Sequence, residues 1–439
     1  MRLIFINRFF YPDHSATSQM LTDLAFGLAG KGFDVTIITS RLRYEPGTQL
    51  AAREMANGVR IERIWTSKFG RGGLAFRAID YLTFYLAVAW ALARFARRDD
   101  VVVAMTDPPA VSVVAAIIAR WRGARLVNWL QDVFPEVAEA LKVGREASNV
   151  VFAPLRAVRN ASLRCADMNA AIGELMAERL VSLGVKRNRI AVISNWADTD
   201  AIRPLAVAQN KYRSDWNLTG KFVIAYSGNL GRAHDIETLL GAIAVMAKPP
   251  ARAAGVCWLF IGGGARYQQL KRETERQGYD NVVFHPYQSR DALAESLSVA
   301  DVHIVSLLPE LEGLIVPSKI YGIAAAGRPA IFIGCPKGEV ARLITQYDCG
   351  AVVAIGDVLA LVETINAFAR DRDLCRAMGD RARAMCEENF NKTKAIATWQ
   401  RLIEATARSV AVDESAFTVF TPAMPPTADR QESSRAPAG

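Results

Sequence analysis

The sequence predicts an α/β protein with two domains, each built on a parallel β-sheet. Its 439 residues exceed the usual size of a single hydrophobic core, and 51% of them are hydrophobic, which is enough for two. Short apolar runs alternate with segments of helical period, which is the pattern of βαβ units. A polar, proline-containing segment at 195–204 interrupts this alternation. We therefore predict two Rossmann-like domains, 1–205 and 206–392, whose parallel sheets face an interdomain cleft.

The individual elements follow from the same alternation. Strands of the first domain are predicted at 2–6, 35–38, 59–64, 101–104, 125–129, 167–171 and 190–193, with helices that include 18–31 and 174–183. Strands of the second domain are predicted at 221–226, 256–261, 282–284, 302–305 and 330–333, with helices at 236–246, 267–277 and 290–296. A helix at 393–407 is predicted to pack back on the first domain. Residues 412–439 are predicted to form a disordered tail, because their end is rich in Pro, Ser and Ala.

Charge and cysteine content narrow the possible partners. The formal net charge is +9, and most of the excess lies in 1–205. The basic residues are scattered and form no motif with aromatic residues, so we expect an anionic membrane surface or a phosphorylated substrate and no nucleic acid. The six cysteines contain no C-x-x-C pair, and the first residues predict a strand and not a secretory leader. We expect a cytoplasmic protein with reduced thiols.

The apolar run 81–93 has two interpretations. At about 13 residues it is too short to span a bilayer. Arg77 and Asp80 precede it, and Arg94, Arg97 and Arg98 follow it. The run is either a buried core helix or a helix that lies against an anionic bilayer, with aromatic residues at the interface and arginines on lipid phosphates. The second interpretation predicts peripheral association with the inner face of the plasma membrane.

The segment 227–235, SGNLGRAHD, is the strongest candidate for binding a ligand. It lies between a predicted strand and a predicted helix, and Gly228, Asn229 and Gly231 could bring backbone N–H groups onto a diphosphate. The helix N-terminus would supply further donors, and Arg232 a charge-assisted contact. The alternative is an ordinary glycine turn between a strand and a helix.

A second candidate is the segment 309–329, PELEGLIVPSKIYGIAAAGRP. Ser318 is a plausible N-cap, and Lys319 lies in the first turn of the predicted helix. A lysine interacts unfavourably with the positive end of a helix dipole unless an anion is present. We therefore predict that Ser318 and Lys319 contact the diphosphate of a donor; the alternative is an ordinary exposed lysine.

In the first domain the candidate is Asp132. It follows the predicted strand 125–129, so its carboxylate should lie at the carboxyl end of the sheet and face the cleft. It would contact an acceptor hydroxyl or stabilise positive charge on a reacting carbon. The alternative is a helix-capping role. Asp107-Pro108-Pro109 forms a rigid turn at the same rim, and we assign it no chemistry.

Three of these motifs resemble a known family. Glu310-x-x-Gly313-Leu314 with the Ala-Ala-Gly-x-Pro ending resembles the donor loop of retaining GT-B glycosyltransferases of family 4. SGNLG resembles their phosphate loop, and Asn195-Trp196-x-Asp198 the segment that closes their N-terminal domain. VPSKIYG and the segment 132–136 are similar to enzymes of bacterial surface-polysaccharide assembly described as fucosamine transferases. The resemblance extends to about Ala407.

The resemblance implies an activity. A sugar would move, with retention at the anomeric carbon, from a nucleotide diphosphate sugar, expected to be UDP-linked, to a polyprenyl-diphosphate-linked saccharide. Glu310, or alternatively Glu312, would lie near the transferred sugar. The helix dipole and basic side chains would neutralise the leaving diphosphate, so no metal or other cofactor is expected. The four histidines also show no i, i+4 pairing.

One departure from the family keeps other functions open. The family carries a second glutamate eight positions after the first, which binds the donor ribose. In this sequence, counting forward from the start of the donor-loop motif gives Ser318, and counting back from its end gives Gly322. A sugar-nucleotide epimerase or hydrolase on the same fold, or a non-catalytic partner subunit, are the alternatives. A dehydrogenase is disfavoured, because no G-x-G-x-x-G follows the first strand.

Overall fold

The computed structural model describes residues 1–43, 49–70, 73–142, 149–248 and 255–408. The predicted tail at 412–439 lies outside these ranges. The first sheet has eight strands in the order β3-β4-β2-β1-β5-β6-β7-β8. The strands are β1 Arg2–Ile6, β2 Asp34–Ser40, β3 Arg53–Ala56, β4 Val59–Ile64, β5 Val101–Ala104, β6 Arg125–Trp129, β7 Met168–Ala171 and β8 Ile190–Val192.

The second sheet has six strands, all parallel to their neighbours, in the order β11-β10-β9-β12-β13-β14. Its strands are β9 Phe222–Asn229, β10 Val256–Gly263, β11 Val282–His285, β12 Val302–Ser306, β13 Ala330–Ile333 and β14 Gly350–Val353. The prediction of an α/β protein with two parallel sheets is thus confirmed.

Two edge strands escaped prediction. Strand β3 pairs antiparallel with β4, and its residues REMA are mostly exposed, so it contains no apolar run that periodicity could detect. Strand β14 is short and begins at Gly350, where a Cβ would lie 1.9 Å from the carbonyl oxygen of Ala330. Glycine is needed there because the backbones of β13 and β14 approach closely.

Helices connect the strands in both domains. Those of the first domain are α1 Ala16–Gly30, α2 Leu74–Phe95, α3 Val111–Arg122, α4 Glu136–Ala140, α5 Asn149–Cys165 and α6 Glu174–Ser182. The remaining helices are α7 Lys211–Asp215, α8 Glu237–Met246, α9 Ala265–Arg276, α10 Leu293–Ser298, α11 Lys319–Ala325, α12 Glu339–Tyr347, α13 Val358–Arg370, α14 Arg372–Asn389 and α15 Lys392–Arg408.

The last helix, α15, joins the core of the first sheet although it follows the second sheet in sequence. Trp399 is fully buried, and its ring centroid lies 4.6 Å from that of Trp129 in β6. Ile396 approaches α1 at Gly27, where a Cβ would lie 2.3 Å from the Ile396 Cδ1 atom. A glycine at 27 therefore allows α1 and α15 to pack closely.

Two sets of contacts hold the carboxyl ends of the two sheets face to face. Both carboxylate oxygens of Glu339 accept hydrogen bonds from the N-terminus of α6 in the first domain. The donors are Glu174 N and Leu175 N, each at 3.1 Å. Asp132, after β6, forms an isolated antiparallel bridge with Ile315, and Val133 N donates to Leu314 O at 3.0 Å. The loop 307–318 after β12 is therefore in direct contact with the first domain.

Candidate active site

The predicted glycine loop begins inside strand β9 and not after it. Gly228 and Asn229 are the last two residues of β9 and pair in register with Gly262 and Gly263 of β10. A Cβ at Gly262 would lie 2.3 Å from the Gly228 carbonyl oxygen, and a Cβ at Gly264 2.5 Å from the Leu230 carbonyl oxygen. Gly262 in β10 and Gly264 directly after it, for which no role was predicted, are thus required by the close approach of two backbones.

The rest of this loop is attached to β12. Leu308 N donates to Ala233 O at 3.0 Å, and the His234 Nδ1–H donates to the carbonyl oxygen of Ser306 at 2.6 Å. Burial lowers the pKa of His234 to about 3, so the ring is neutral and has this tautomer. The end of the predicted loop 227–235 therefore lies beside the start of the predicted loop 309–318.

The N-terminus of α8 differs from the prediction. The helix begins at Glu237, six positions after Gly231, and the Asp235 carboxylate accepts hydrogen bonds from Glu237 N and Thr238 N, each at 3.2 Å. Because Asp235 already satisfies these donors, they are not available to a diphosphate. A contribution of donors from the rest of this helix N-terminus stays a prediction; Gly231 N and the exposed Arg232 belong to the loop that precedes it.

Lys319 connects this loop to α11. Its amino group donates to the hydroxyl of Tyr226 in β9 and lies 3.6 Å from the centroid of the Tyr226 ring. The Tyr226 hydroxyl in turn donates to Asn229 O at 3.0 Å. Ser318 precedes the helix, as predicted, but its hydroxyl forms no capping hydrogen bond, so capping does not engage it.

The charge of Lys319 is not balanced within the described residues. Burial lowers the pKa of Lys319 to about 7, and no described carboxylate forms an ion pair with it. A buried ammonium group without a counter-ion is costly, and an anionic ligand would remove that cost. The alternative of an ordinary exposed lysine is therefore excluded.

On the opposite side of the cleft, Asp132 lies where the sequence placed it. It follows β6 and is partly buried, and its Oδ1 atom is buried without a hydrogen-bond partner among the described residues. Burial raises the pKa of Asp132 to about 6, although a hydrogen bond from the Thr106 side chain opposes this shift. The carboxylate caps no helix in the described residues, and its bridge to Ile315 places it beside the loop of the second domain.

Sequence reasoning missed two residues next to Asp132. Because β1, β5 and β6 are neighbours in the sheet, Arg8, Asp107 and Asp132 follow them along one edge. Burial raises the pKa of Asp107 to about 6, with Arg8 opposing the shift and Asp132 adding to it. The Arg8 guanidinium carbon lies 5.2 Å from the centroid of the Tyr81 ring. Asp107 occupies the same position after its strand as Asp132, which is the signal that could have found it.

The two candidate glutamates have different surroundings. Glu310 is exposed in the short 3₁₀ turn Pro309–Leu311. Glu312 is half-buried, and one carboxylate oxygen accepts from Glu339 N at 3.2 Å at the start of α12. Burial raises the pKa of Glu312 to about 7. Glu312 therefore holds the N-terminus of α12, which the sequence did not suggest, and a role of either glutamate in donor binding stays a prediction.

Gly313 explains the spacing of the Glu-x-x-Gly motif. Its φ is +72°, and a Cβ would lie 3.1 Å from the Leu175 carbonyl oxygen of α6. Any other residue would be strained and would push the loop away from the first domain. In the ranges that the structure describes, no three His, Cys, Asp or Glu side chains cluster as metal ligands.

Both domains are built on parallel sheets, and the strand ends, the glycine loop and Lys319 face one cleft. This arrangement defines the GT-B class of protein. The comparisons agree: residues 16–196 match the glycosyl transferase 4-like domain, and 208–385 match the glycosyl transferases group 1 domain. The chain belongs to this family and is a glycosyltransferase.

Three similar proteins illustrate the relationship. The "Probable glycosyltransferase WbjE" of Pseudomonas aeruginosa is 30% identical over 301 residues, 68% of this chain and 72% of that protein. WcaI of Escherichia coli (strain K12), named as a glycosyl transferase of colanic acid biosynthesis, is 25% identical over 234 residues, 53% of this chain and 56% of that protein. The crystal structure of HepE from Anabaena, in complex with UDP and glucose, has a TM-score of 0.69 at 15% identity, over 92% of this chain and 100% of that one.

Proposed function

We propose that this glycosyltransferase moves a sugar from a UDP-linked donor to a polyprenyl-diphosphate-linked saccharide during bacterial surface-polysaccharide assembly, with retention at the anomeric carbon. The reaction takes place at the cytoplasmic face of the membrane and needs no metal. The observation that supports it most directly is Lys319, a half-buried cation beside the glycine loop without a counter-ion among the described residues.

The donor site is built from the second domain. Gly228, Asn229, Gly231 and Arg232 supply backbone and side-chain donors to the diphosphate. Ser318 and Lys319 approach from the start of α11, and the Lys319 charge stabilises the leaving UDP as the glycosidic bond breaks. UDP in the HepE structure, which shares this fold, supports the choice of nucleotide. Glu310, exposed at the cleft, positions the sugar.

The acceptor site is built from the first domain. Asp132 contacts the acceptor hydroxyl, because its backbone bridges to Ile315 of the donor loop and its carboxylate has a buried oxygen without a partner among the described residues. A carboxylate with a pKa of about 6 is ionised at neutral pH and able to accept a hydrogen bond from that hydroxyl. Arg8, on the same sheet edge, would offer a positive charge to the acceptor diphosphate. The name of WcaI, given for colanic acid biosynthesis, supports a polysaccharide acceptor.

Nucleotide binding tests the donor site. Thermal unfolding of the full chain should be shifted upward by UDP more than by the other nucleoside diphosphates, as expected when a ligand binds only the folded state. Lys319→Met should weaken UDP at least about tenfold, because a charge-assisted contact to phosphate is lost. In the absence of nucleotide, the same variant should unfold at an equal or higher temperature, because it removes a costly buried charge.

A matched control is Lys271→Met. Lys271 also lies over an aromatic ring, that of Phe284 at 5.9 Å, but it is partly exposed and pairs with Glu275 at 3.8 Å. This variant should bind UDP normally. If no nucleoside diphosphate stabilises the wild type, the transferase proposal fails and a non-catalytic subunit becomes the better interpretation. Free sugar released without any acceptor would instead favour a hydrolase.

A further inference from the structure

Helices α2 and α3 carry an apolar surface that no other described part of the chain covers. On α2, Leu82, Leu86 and Trp90 are 56%, 64% and 65% exposed, and their spacing of four residues places them on one face. On the neighbouring α3, Ile117 and Trp121 are 64% and 68% exposed, again four residues apart. We call these five side chains the apolar face. A patch of this size is unusual on a soluble surface and marks an interaction site.

The opposite side of α2 belongs to the core of the first domain. Phe84, Val88 and Leu92 are fully buried and pack against β1 and β5. Asp80 anchors the start of the helix, since its carboxylate accepts from Phe69 N and Gly70 N at 3.0 Å. By length and composition, the stretch Phe76–Phe95 could cross a membrane. Crossing would remove Phe84, Val88 and Leu92 from the core, so we expect the helix to lie flat on a bilayer.

The charges around the apolar face are mostly positive, and Asp99 is the exposed acidic residue that follows α2. Two arginines lie beside its tryptophans, with the guanidinium carbons of Arg94 and Arg122 each 5.6 Å from the ring centroids of Trp90 and Trp121. Further exposed arginines surround it: Arg77, Arg97, Arg98 and Arg120. The acidic residue of α2, Asp80, is buried, and α3 contains none. Tryptophan with arginine at its rim is the side-chain combination that suits the headgroup region of an anionic membrane.

We propose that the apolar face docks in the plane of an anionic bilayer, with Leu86 and Trp90 inserted among the acyl chains near the headgroups and the arginines on lipid phosphates. The inference deepens the proposed function and rests on it for its purpose, which is access to a lipid-linked acceptor. Tyr81, on the same helix, lies against Arg8 at the carboxyl edge of the sheet. Docking would therefore bring the acceptor edge of the cleft next to the bilayer.

The test is sedimentation of the full chain with vesicles. Wild type should bind vesicles that contain phosphatidylglycerol and bind phosphatidylcholine vesicles much more weakly. Leu86→Ser with Trp90→Ser should lower binding at least about tenfold, because two large apolar side chains no longer enter the bilayer. Arg94→Gln with Arg98→Gln should lower binding to the anionic vesicles and reduce its sensitivity to salt.

The control is Leu359→Ser on α13. Leu359 is 69% exposed, like the members of the apolar face, but lies on the second domain. This variant should bind vesicles like wild type, and every variant should keep wild-type UDP binding, which shows that it is folded. Equal vesicle binding by Leu86→Ser/Trp90→Ser and wild type would overturn the proposal, as would resistance of the bound protein to alkaline extraction, which indicates a spanning helix.

Three further outcomes decide between partners and between the two proposals. The wild type could self-associate and bind no vesicles, and the double serine variant could abolish that self-association. This result would assign the apolar face to a protein contact and refute the proposal of membrane docking. Absence of vesicle binding by the wild type, with intact UDP binding, would refute only this inference. Vesicle binding without binding of any nucleoside diphosphate would instead count against the donor site and leave the docking face standing.

Discussion

The amino and carboxyl edges of the two sheets differ in how their charges are balanced. At the amino edges, charges are paired: Arg2 with Asp100 at 2.9 Å, Arg125 with Asp167 at 3.1 Å, and Arg213 with Asp301 at 2.9 Å. At the carboxyl edges, burial moves the pKa of Asp107 and Asp132 up to about 6 and that of Lys319 down to about 7. Asp132 and Lys319 form no ion pair with another residue of the described ranges.

This difference shows that the chain leaves buried charges unpaired at the carboxyl edges and pairs them at the amino edges. An unpaired buried charge destabilises a fold, and the amino edges show that this chain can supply partners. Charges left without partners at the cleft are therefore better explained by a substrate than by the fold. Perturbed pKa values are typical of functional sites, and here they occur on both sides of one cleft. Variants at matched positions on the two edges test whether the edges differ in function.

The largest effect is expected for Asp132→Asn. Loss of the carboxylate that we propose contacts the acceptor should lower kcat/KM roughly 10³-fold, measured as UDP release in the presence of acceptor. The fold should be as stable as wild type or more stable, because a buried unpaired charge is removed. Asp167→Asn at the amino edge is the control and should keep its kcat/KM. Equal losses in both variants would mean that the two edges do not differ.

A stability effect with no effect on binding is expected for Asp301→Asn. The Asp301 carboxylate accepts from the Arg213 guanidinium at 2.9 Å and from Val223 N at 2.7 Å. Breaking this buried pair should cost about 3 kcal/mol in the free energy of unfolding, measured by urea denaturation. The affinity for UDP should not change. A weakened affinity in the folded variant would show that the amino edge also shapes the donor site.

The smallest effect is the pH dependence. Asp132 should be ionised and Lys319 protonated in the active free enzyme, with pKa values of about 6 and about 7. Below pH 6 the carboxylate gains a proton, and above pH 7 the lysine loses one. The profile of kcat/KM should therefore be bell-shaped, with a change of about tenfold per pH unit on either side. Lys319→Met should remove the alkaline limb, and an alkaline limb that persists would assign it to another group.

Much of the fold could be predicted from local patterns. Twelve strands were expected and all of them form, because each is an apolar run with turn signals on both sides. The polar strand β3 and the short strand β14 were missed for the lack of such runs. Helices α12 to α14 were not predicted, although the Asp357 and Asp371 side chains cap two of them and are visible in the sequence.

The site was predictable in part. Glycines, Lys319 and Asp132 were found because they follow strands or begin a helix, and strand ends face the cleft in any parallel sheet. Asp235 and Glu312 cap helices, which spacing alone did not distinguish from ligand binding. Asp107 was missed although it follows β5 at the same distance as Asp132 follows β6, and Tyr226 was missed because no local pattern shows its contact with Lys319.

The two parallel sheets, the glycine loop and the candidate charges at the strand ends could be predicted from the sequence alone. These features depend on residues within one βαβ unit, and periodicity records them. Two contacts could be read only from the tertiary structure. Lys319 lies on Tyr226, 93 residues away, and Asp132 pairs with Ile315 across the cleft. Strand order and domain packing set such contacts, and the burial they create shifts the pKa values on which the proposed chemistry depends.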